Sequence, residues 1–504
     1  MPATAQRRRA VLRRLLAAGA GLGLASPLVQ ALQAPVLAAR APAPARRGPP
    51  AQAGESLLRA SGLPLASFGA FVRPVDDVVP LVAVNAEASY AMASTTKVVT
   101  SLAALDLLGV NFRWRTFAFL RGPLVEGTLL GDLLIVGGGD ARLTSVELRD
   151  WFGRLRAQGL KRIAGDIVLD RYAFDLSEGD FANTPPPSTG RAYHVRPDAF
   201  AIDEGLLHVG IDPVRGTRAA VALEPPLAGV RIVDKVVMRG GCGATARLLE
   251  DPAGARVEVQ GSWSTACGHR DLVLVPSAPA LFTTRALAGL WAEAGGTLSG
   301  TVVERARQVG ASMIPIGADG RQQLPWAVHL SDPLPVVLHD MNKSSNNVTA
   351  RHLMLALARG FPSKAATLPD AQARMQEWLA RQGLAAGDVS VENGSGLSRG
   401  ERARPRALAH LLANAWHAPI LREFLLSLPV AGMDGTLQHR MQGTAAEGHA
   451  FLKTGTLLDT RALAGYVQAA SGRMYAVALM VNHPDAARAT PALDRFIEWI
   501  AKSC

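Results

Sequence analysis

The sequence predicts a mixed α/β (α+β) fold in which one domain of sheet and helices is interrupted by a large β-rich insertion. Three observations carry this. First, the short apolar runs Phe68-Gly69-Ala70-Phe71-Val72 and Leu81-Val82-Ala83-Val84 precede an apolar stripe at Val98, Leu102, Leu105 and Leu108, so strands lead into a helix. Second, strand-and-turn signals repeat from 119 to 325, with helical patterns only at 145–159 and 281–294. Third, helical periodicity returns from Pro333 and gives way to a strand-like run at Phe451–Leu457. The chain of 504 residues, 48% hydrophobic and 19% charged, is long enough for several domains with sizeable cores. It is divided into a first part at 55–118, inserted domains at 119–325 and a second part at 326–504. A segment of about 190–270 is expected to be nested inside the insertion.

Residues 1–38 read as an export signal. Arg7, Arg8, Arg9, Arg13 and Arg14 form a positive start, Leu15 to Val29 is apolar, and Val36-Leu37-Ala38 is a small-residue cleavage site. Arg8-Arg9-Ala10-Val11-Leu12 also resembles a twin-arginine signal, so both the Sec and Tat routes stay open. The apolar run is short and broken by glycines and Pro27, which favours cleavage over a retained anchor. Residues 39–54, rich in Ala, Pro and Arg, read as a disordered linker. The mature chain is thus expected in the periplasm, where disulfides persist. Cys242 and Cys267 are close enough to clip one small subdomain, the alternative being two buried thiols, and Cys504 is left as a free thiol. The net charge of +11 is spread over scattered arginines with no nucleic-acid motif, and a basic enzyme working near an anionic envelope polymer accounts for it equally well.

Within the insertion, strands are expected at Gly131–Val136, Gly165–Asp170, Val257–Val259 and Leu272–Val275. Gly137-Gly138-Gly139 has no Gly-Lys-Ser/Thr after it and no dinucleotide-binding spacing, so it reads as a turn.

Three short motifs carry chemistry. Ala93-Ser94-Thr95-Thr96-Lys97 opens the first helix, and Gly109 closes it. Residues three apart on a helix are neighbours, so Ser94 and Lys97 place a hydroxyl beside an amine. The helix start adds N–H groups suited to an oxyanion. A capping serine with a surface lysine is the plain alternative, but composition weighs against it. Arginine supplies most of the basic residues, lysine occurs at only seven positions, and only lysine can be deprotonated to act as a base. The second motif, Met341-Asn342-Lys343-Ser344-Ser345-Asn346-Asn347-Val348-Thr349-Ala350, crowds hydroxyls and amides into a turn between helices; alone it would pass for a helix cap. The third, Phe451-Leu452-Lys453-Thr454-Gly455-Thr456-Leu457, lies on a strand, and Gly455 admits a close backbone approach; alone it would pass for an edge strand with a surface lysine. In the order S-x-x-K, S-x-N, K-T-G they match the signature of the penicillin-recognising serine enzymes.

On these residues the chain resembles the D-alanyl-D-alanine carboxypeptidase/endopeptidases of the penicillin-binding protein 4 type, peptidase family S13. Val391-Glu392-Asn393-Gly394-Ser395-Gly396-Leu397-Ser398-Arg399 resembles the family's D-G-S-G-L-S-R segment, with Asn393 in place of Asp, and Leu428–Leu437 resembles another of its markers. Ser94 and Ser345 are 251 positions apart, which suits this family's long insertion and not the short spacing of class A β-lactamases. The pattern K-x-S-x-N-x-x-A places Lys343 and Ala350 around Ser345 and Asn347, rather than around Ser344 and Asn346.

The resemblance implies a β-lactamase/transpeptidase-like domain, an antiparallel sheet flanked by helices. It implies a serine DD-peptidase acting on the D-Ala-D-Ala end of peptidoglycan stem peptides, and on peptide cross-links, with β-lactams as covalent inhibitors. Ser94 would be the nucleophile and Lys97 its base. Ser345 would bridge Lys97 and Lys453, Asn347 would hold the substrate amide, and Lys453, Thr454, Gly455 and Thr456 would bind the terminal carboxylate. The N–H groups of Ser94 and Thr456 would receive the oxyanion. The resemblance also supports a Cys242–Cys267 disulfide. No metal or cofactor is implied. A serine β-lactamase and a non-catalytic penicillin-binding scaffold are the competing readings, and release of D-alanine separates all three.

Overall fold

The computed structural model describes residues 50–184, 190–213, 219–251, 254–305, 314–315 and 321–504. The export signal, its cleavage site near Ala38 and the linker up to residue 49 lie outside the described residues. The last five linker positions do not: Pro50–Arg59 is an α-helix. Leu58 is buried in the core, with Leu57 packed at its edge, and Gly54 fits against Val82 and Phe496. This apolar face is what makes 50–54 ordered, contrary to the composition-based expectation.

Five strands form the central sheet in the order Val82–Val84, Phe68–Pro74, Met474–Asn482, Thr460–Gln468, Ala450–Leu457, every pair antiparallel. Strands from residues 68–84 and from residues 450–482 thus build one sheet. Side chains alternate across a strand. On one face Leu452, Leu463 and Leu479 join Phe496, Ile497 and Ile500 of the C-terminal helix Thr490–Ser503 in a hydrophobic core. On the other, the paired row Lys453, Ala464 and Ala478 is small apart from the lysine, which leaves room for the helical layer. The helix Thr96–Leu108 lies in that layer. Its residues from Thr96 to Leu105 are all buried, so it is a central helix and not the one-sided helix its apolar stripe suggests. Gly109, at φ 82°, ends it with an N–H to Leu105 O.

Arg115–Arg121 and Ala327–Leu330 pair antiparallel; the first strand crosses the boundary drawn at 118/119, and the second begins just past the one at 325/326. Ala327–Leu330 is one edge of a five-stranded sheet that continues through Arg115–Arg121, Asp132–Val136 and Ile167–Asp170 to Val302–Glu304. Helices Ser145–Ala157 and Pro279–Glu293 pack on its core through Trp151, Phe152, Phe282 and Trp291. A reciprocal cap fixes the first helix: Glu147 N donates to Thr144 Oγ1 and Thr144 N to Glu147 Oε2. Two three-stranded sheets lie between 207 and 274, and Cys242 is bonded to Cys267 there, Cα to Cα 5.6 Å. Cys504 is free and half-buried, and burial pushes its thiol up to about 11. Gly137–Gly139 is irregular backbone in which Gly138 packs against Arg115 O too closely for any side chain. Among the described residues no helix is long and apolar enough to cross a membrane.

Candidate active site

The three motifs meet at one cleft of about 900 Å³. Ser94 stands in a short 3-10 turn, Ala93–Thr95, that runs into the helix Thr96–Leu108. Ala93 carries φ 46°, an unusual conformation for a non-glycine residue, and it bends the chain so that the serine faces the cleft. Ser345 sits between helices Leu334–Ser344 and Asn347–Ala356, also left-handed at φ 61°. Lys453, Thr454, Gly455 and Thr456 lie on the edge strand Ala450–Leu457. Gly455 is where that strand meets the nucleophile turn. A Cβ there would come within 2.7 Å of Met92 O, so only glycine allows the approach.

Ser94, Ser345, Asn347, Thr454 and Thr456 line the cleft, whereas both lysines lie beneath it, each 0% exposed. Lys97 Nζ is 3.0 Å from Ser94 Oγ, 2.5 Å from Asn347 Oδ1 and 2.6 Å from Ser395 O. Lys453 Nζ donates to Ser345 Oγ at 2.8 Å and to Thr454 O at 3.0 Å. The expected bridge by Ser345 between the lysines is therefore divided: Ser345 serves Lys453, and Asn347 occupies the place on Lys97. Ser344 and Asn346 turn elsewhere. Ser344 Oγ donates back to Asp340 O, and Asn346 Oδ1 caps the following helix at Thr349 N.

Burial is the main electrostatic fact of the site. It holds Lys97 well below the ordinary lysine range; the charges of Lys453 and Arg351 push the same way, and Glu401 opposes them. Burial also brings Lys453, the cation expected to stay charged, down to about 7.

Several supporting residues have no motif of their own. Glu401 is fully buried, and its carboxylate accepts from the N–H groups of Asn393 (3.0 Å), Gly394 (2.7 Å) and Gly396 (2.6 Å). It thereby shapes the loop whose Ser395 O meets Lys97 and whose Gly394 O meets Thr100 Oγ1, one helical turn on. Burial raises its carboxyl, against those hydrogen bonds and the Lys97 charge. Asn393, at the place of the usual Asp, accepts through Oδ1 from the N–H and Oγ of Ser395, a task a carboxylate oxygen would do equally well. Asp434 holds Lys343 Nζ at 2.7 Å, and Thr436 Oγ1 accepts from Thr454 Oγ1 at 2.8 Å. These last two explain the Leu428–Leu437 marker: it braces the second motif and the third.

Comparison with known proteins adds to this geometry. The profile of the D-Ala-D-Ala carboxypeptidase 3 (S13) family matches residues 52–502. The chain belongs to that family. Within it, the D-alanyl-D-alanine carboxypeptidase of Actinomadura sp. (strain R39) is 29% identical over 395 residues, covering 76% of this chain and 71% of that one. The D-alanyl-D-alanine carboxypeptidase DacB of Haemophilus influenzae is 26% identical over 404 residues, 77% of this chain and 80% of its own. The crystal structure of penicillin-binding protein 4 (dacB) from H. influenzae shares the fold, with a TM-score of 0.68 at 22% identity over 88% of this chain and 99% of that one. The same protein has been solved in complex with a β-lactam. This S13 protein is thus a peptidase of the D-Ala-D-Ala carboxypeptidase class, built on an α/β fold shared with that crystal structure.

Proposed function

We propose that this S13 protein is an exported serine DD-peptidase that works through an acyl-enzyme on Ser94. It cleaves the D-Ala-D-Ala terminus of peptidoglycan stem peptides, hydrolyses peptide cross-links, and is acylated by penicillins. The observation that carries this reading is the set of partners around Lys97. A neutral amine has two N–H groups and one lone pair. Asn347 Oδ1 and Ser395 O can only accept, so they use both N–H groups, and the lone pair is left for the Ser94 hydroxyl at 3.0 Å. Burial and nearby cations favour that neutral form.

In the proposed cycle Ser94 Oγ attacks the carbonyl of the penultimate D-alanine while its proton passes to Lys97. The N–H groups of Ser94 and Thr456 receive the oxyanion, where loss of one donor costs about 2.7–4 kcal/mol. Lys453, with Thr454 and Thr456, holds the terminal carboxylate, whose negative charge favours the ammonium form of the lysine, the proton coming from solvent. Asn347 Nδ2 donates to the substrate amide while its Oδ1 stays on Lys97. Ser345 passes its proton to the leaving amine and is reprotonated by Lys453, which donates to it at 2.8 Å. Once Lys97 has lost its extra proton to solvent and Lys453 has regained one, water attacks the acyl carbonyl and gives a proton to Lys97. Lys97 returns it to Ser94 Oγ as the acid leaves. The test is a labelled penicillin with mass-spectrometric mapping of the adduct. One label on the peptide containing Ser94 is expected; a label on another residue, or none, overturns the reading.

A further inference from the structure

The insertion lines the cleft with Arg191–His194 and with one acidic side chain, Glu204. Glu204 lines the cleft beside Ser94, Ser345 and Asn347, and its Oε1 accepts from Asn346 Nδ2 at 2.6 Å. Asn346 is the residue between Ser345 and Asn347. Its other side-chain atom, Oδ1, accepts from Thr349 N at 3.0 Å and starts the next helix. One amide therefore fastens the left-handed Ser345 turn on both sides: to the helix that follows, and to the insertion.

The backbone that presents Glu204 is unusual. Asp203 (φ 47°, ψ 45°), Glu204 (φ 60°, ψ 19°) and Gly205 (φ 75°) are three consecutive left-handed residues, two of them not glycine. Such conformations persist only where the surroundings impose them, and they cluster at functional sites. Here the turn is anchored within the insertion, since Asp203 N donates to Leu143 O and Asp203 Oδ1 accepts from Ser145 N at the start of the helix Ser145–Ala157. The same part of the insertion holds both helices that flank Ser345. Arg142 pairs with Asp340 on the first, and Gly139 O meets His352 Nδ1 on the second.

We propose that Glu204 is a positioning residue: through Asn346 it fixes the turn that aims Ser345 at Lys453 and Asn347 at Lys97, so the insertion is part of the acylating machinery. This rests on the serine-peptidase reading above. The hydrogen bond can be rebuilt with donor and acceptor exchanged, which gives a direct test.

Acylation rate constants with one penicillin are compared across the wild type, Glu204→Gln, Glu204→Ala, Asn346→Asp and the double variant Asn346→Asp/Glu204→Gln, together with each unfolding midpoint. Glu204→Gln still accepts from Asn346 and should stay within about threefold of the wild type. Glu204→Ala, and Asn346→Asp with its two facing carboxylates, should fall roughly tenfold or more, the effect of losing one such bond. In the double variant the glutamine donates to the aspartate, and the rate should return to within about threefold of the wild type. Two results overturn the inference: a double variant no faster than Asn346→Asp, or Glu204→Ala within twofold of the wild type with only its unfolding midpoint lowered. If Glu204→Ala does not fold, Asn346→Asp and the double variant decide alone. A wild type that takes no label overturns this inference and the reading beneath it; a wild type that labels, with variants that label equally, overturns this inference alone.

Discussion

Lys97→Arg is expected to abolish acylation by both peptide and penicillin, a loss of roughly a thousandfold or more at any substrate concentration, as removal of a general base implies. Arginine stays protonated at every working pH, so no lone pair faces Ser94 Oγ. The fully buried site also has to hold a permanent charge where burial and Lys453 favour a neutral group. Lys453→Arg is expected to behave differently. It keeps a cation but changes its shape, so it weakens carboxylate recognition and leaves measurable acylation. The pH dependence separates them further. Burial holds Lys453 at about 7, so it is charged below that pH and neutral above it. For the wild type, kcat/KM on a carboxylate-bearing peptide should therefore decline as pH rises through about 7, and Lys453→Arg should remove that decline. The measurement is the acylation rate constant of each variant with one penicillin over a range of concentrations, and kcat/KM against pH. If Lys97→Arg acylates as fast as Lys453→Arg, the base is not Lys97.

Gly396→Ala should be nearly as damaging, for a steric reason. A Cβ at Gly396 would lie 2.0 Å from Ala93 O and 2.7 Å from Ser94 N, so backbone meets backbone at the nucleophile turn and neither side has a flexible end to yield. Displacing Ser94 by about an ångström is enough to cost on the order of a hundredfold in rate. The φ of 89° adds its own strain, and Gly387→Ala controls for that, because Gly387 has φ 84° with nothing within 4 Å of the added atom. Penicillin acylation should collapse in Gly396→Ala and stay near the wild-type rate in Gly387→Ala. Equal rates in the two would show that the loop does not set the position of Ser94.

What the sequence revealed and what it concealed follow from the reach of each interaction. Ser94 and Lys97 are one helical turn apart, so their meeting is a local property of the S-x-x-K spacing. The strands at 68–74 and 450–457 were legible because apolar runs bounded by turn residues mark strands wherever the chain goes. Residues 50–54 were misread because composition shows Ala, Pro and Gln but not the Phe496 ring that packs on Gly54. Glu401 had no local sign at all: its partners are the N–H groups of a loop, which every residue possesses. The division of labour between Ser345 and Asn347 was equally hidden, since which lysine each one meets depends on a turn at φ 61° and on a sheet edge about a hundred residues later. Glu204 reaches Asn346 across 142 positions, and no pattern along the chain links them.

The central claim is that this cleft hydrolyses a D-Ala-D-Ala bond through an acylated serine. Its most direct test is steady-state release of D-alanine from a peptide ending in D-Ala-D-Ala, with and without one prior equivalent of penicillin per protein. Turnover should stop once the penicillin is bound and be absent in Ser94→Ala. No release from well-folded protein, or release that continues through penicillin treatment or in Ser94→Ala, would contradict it.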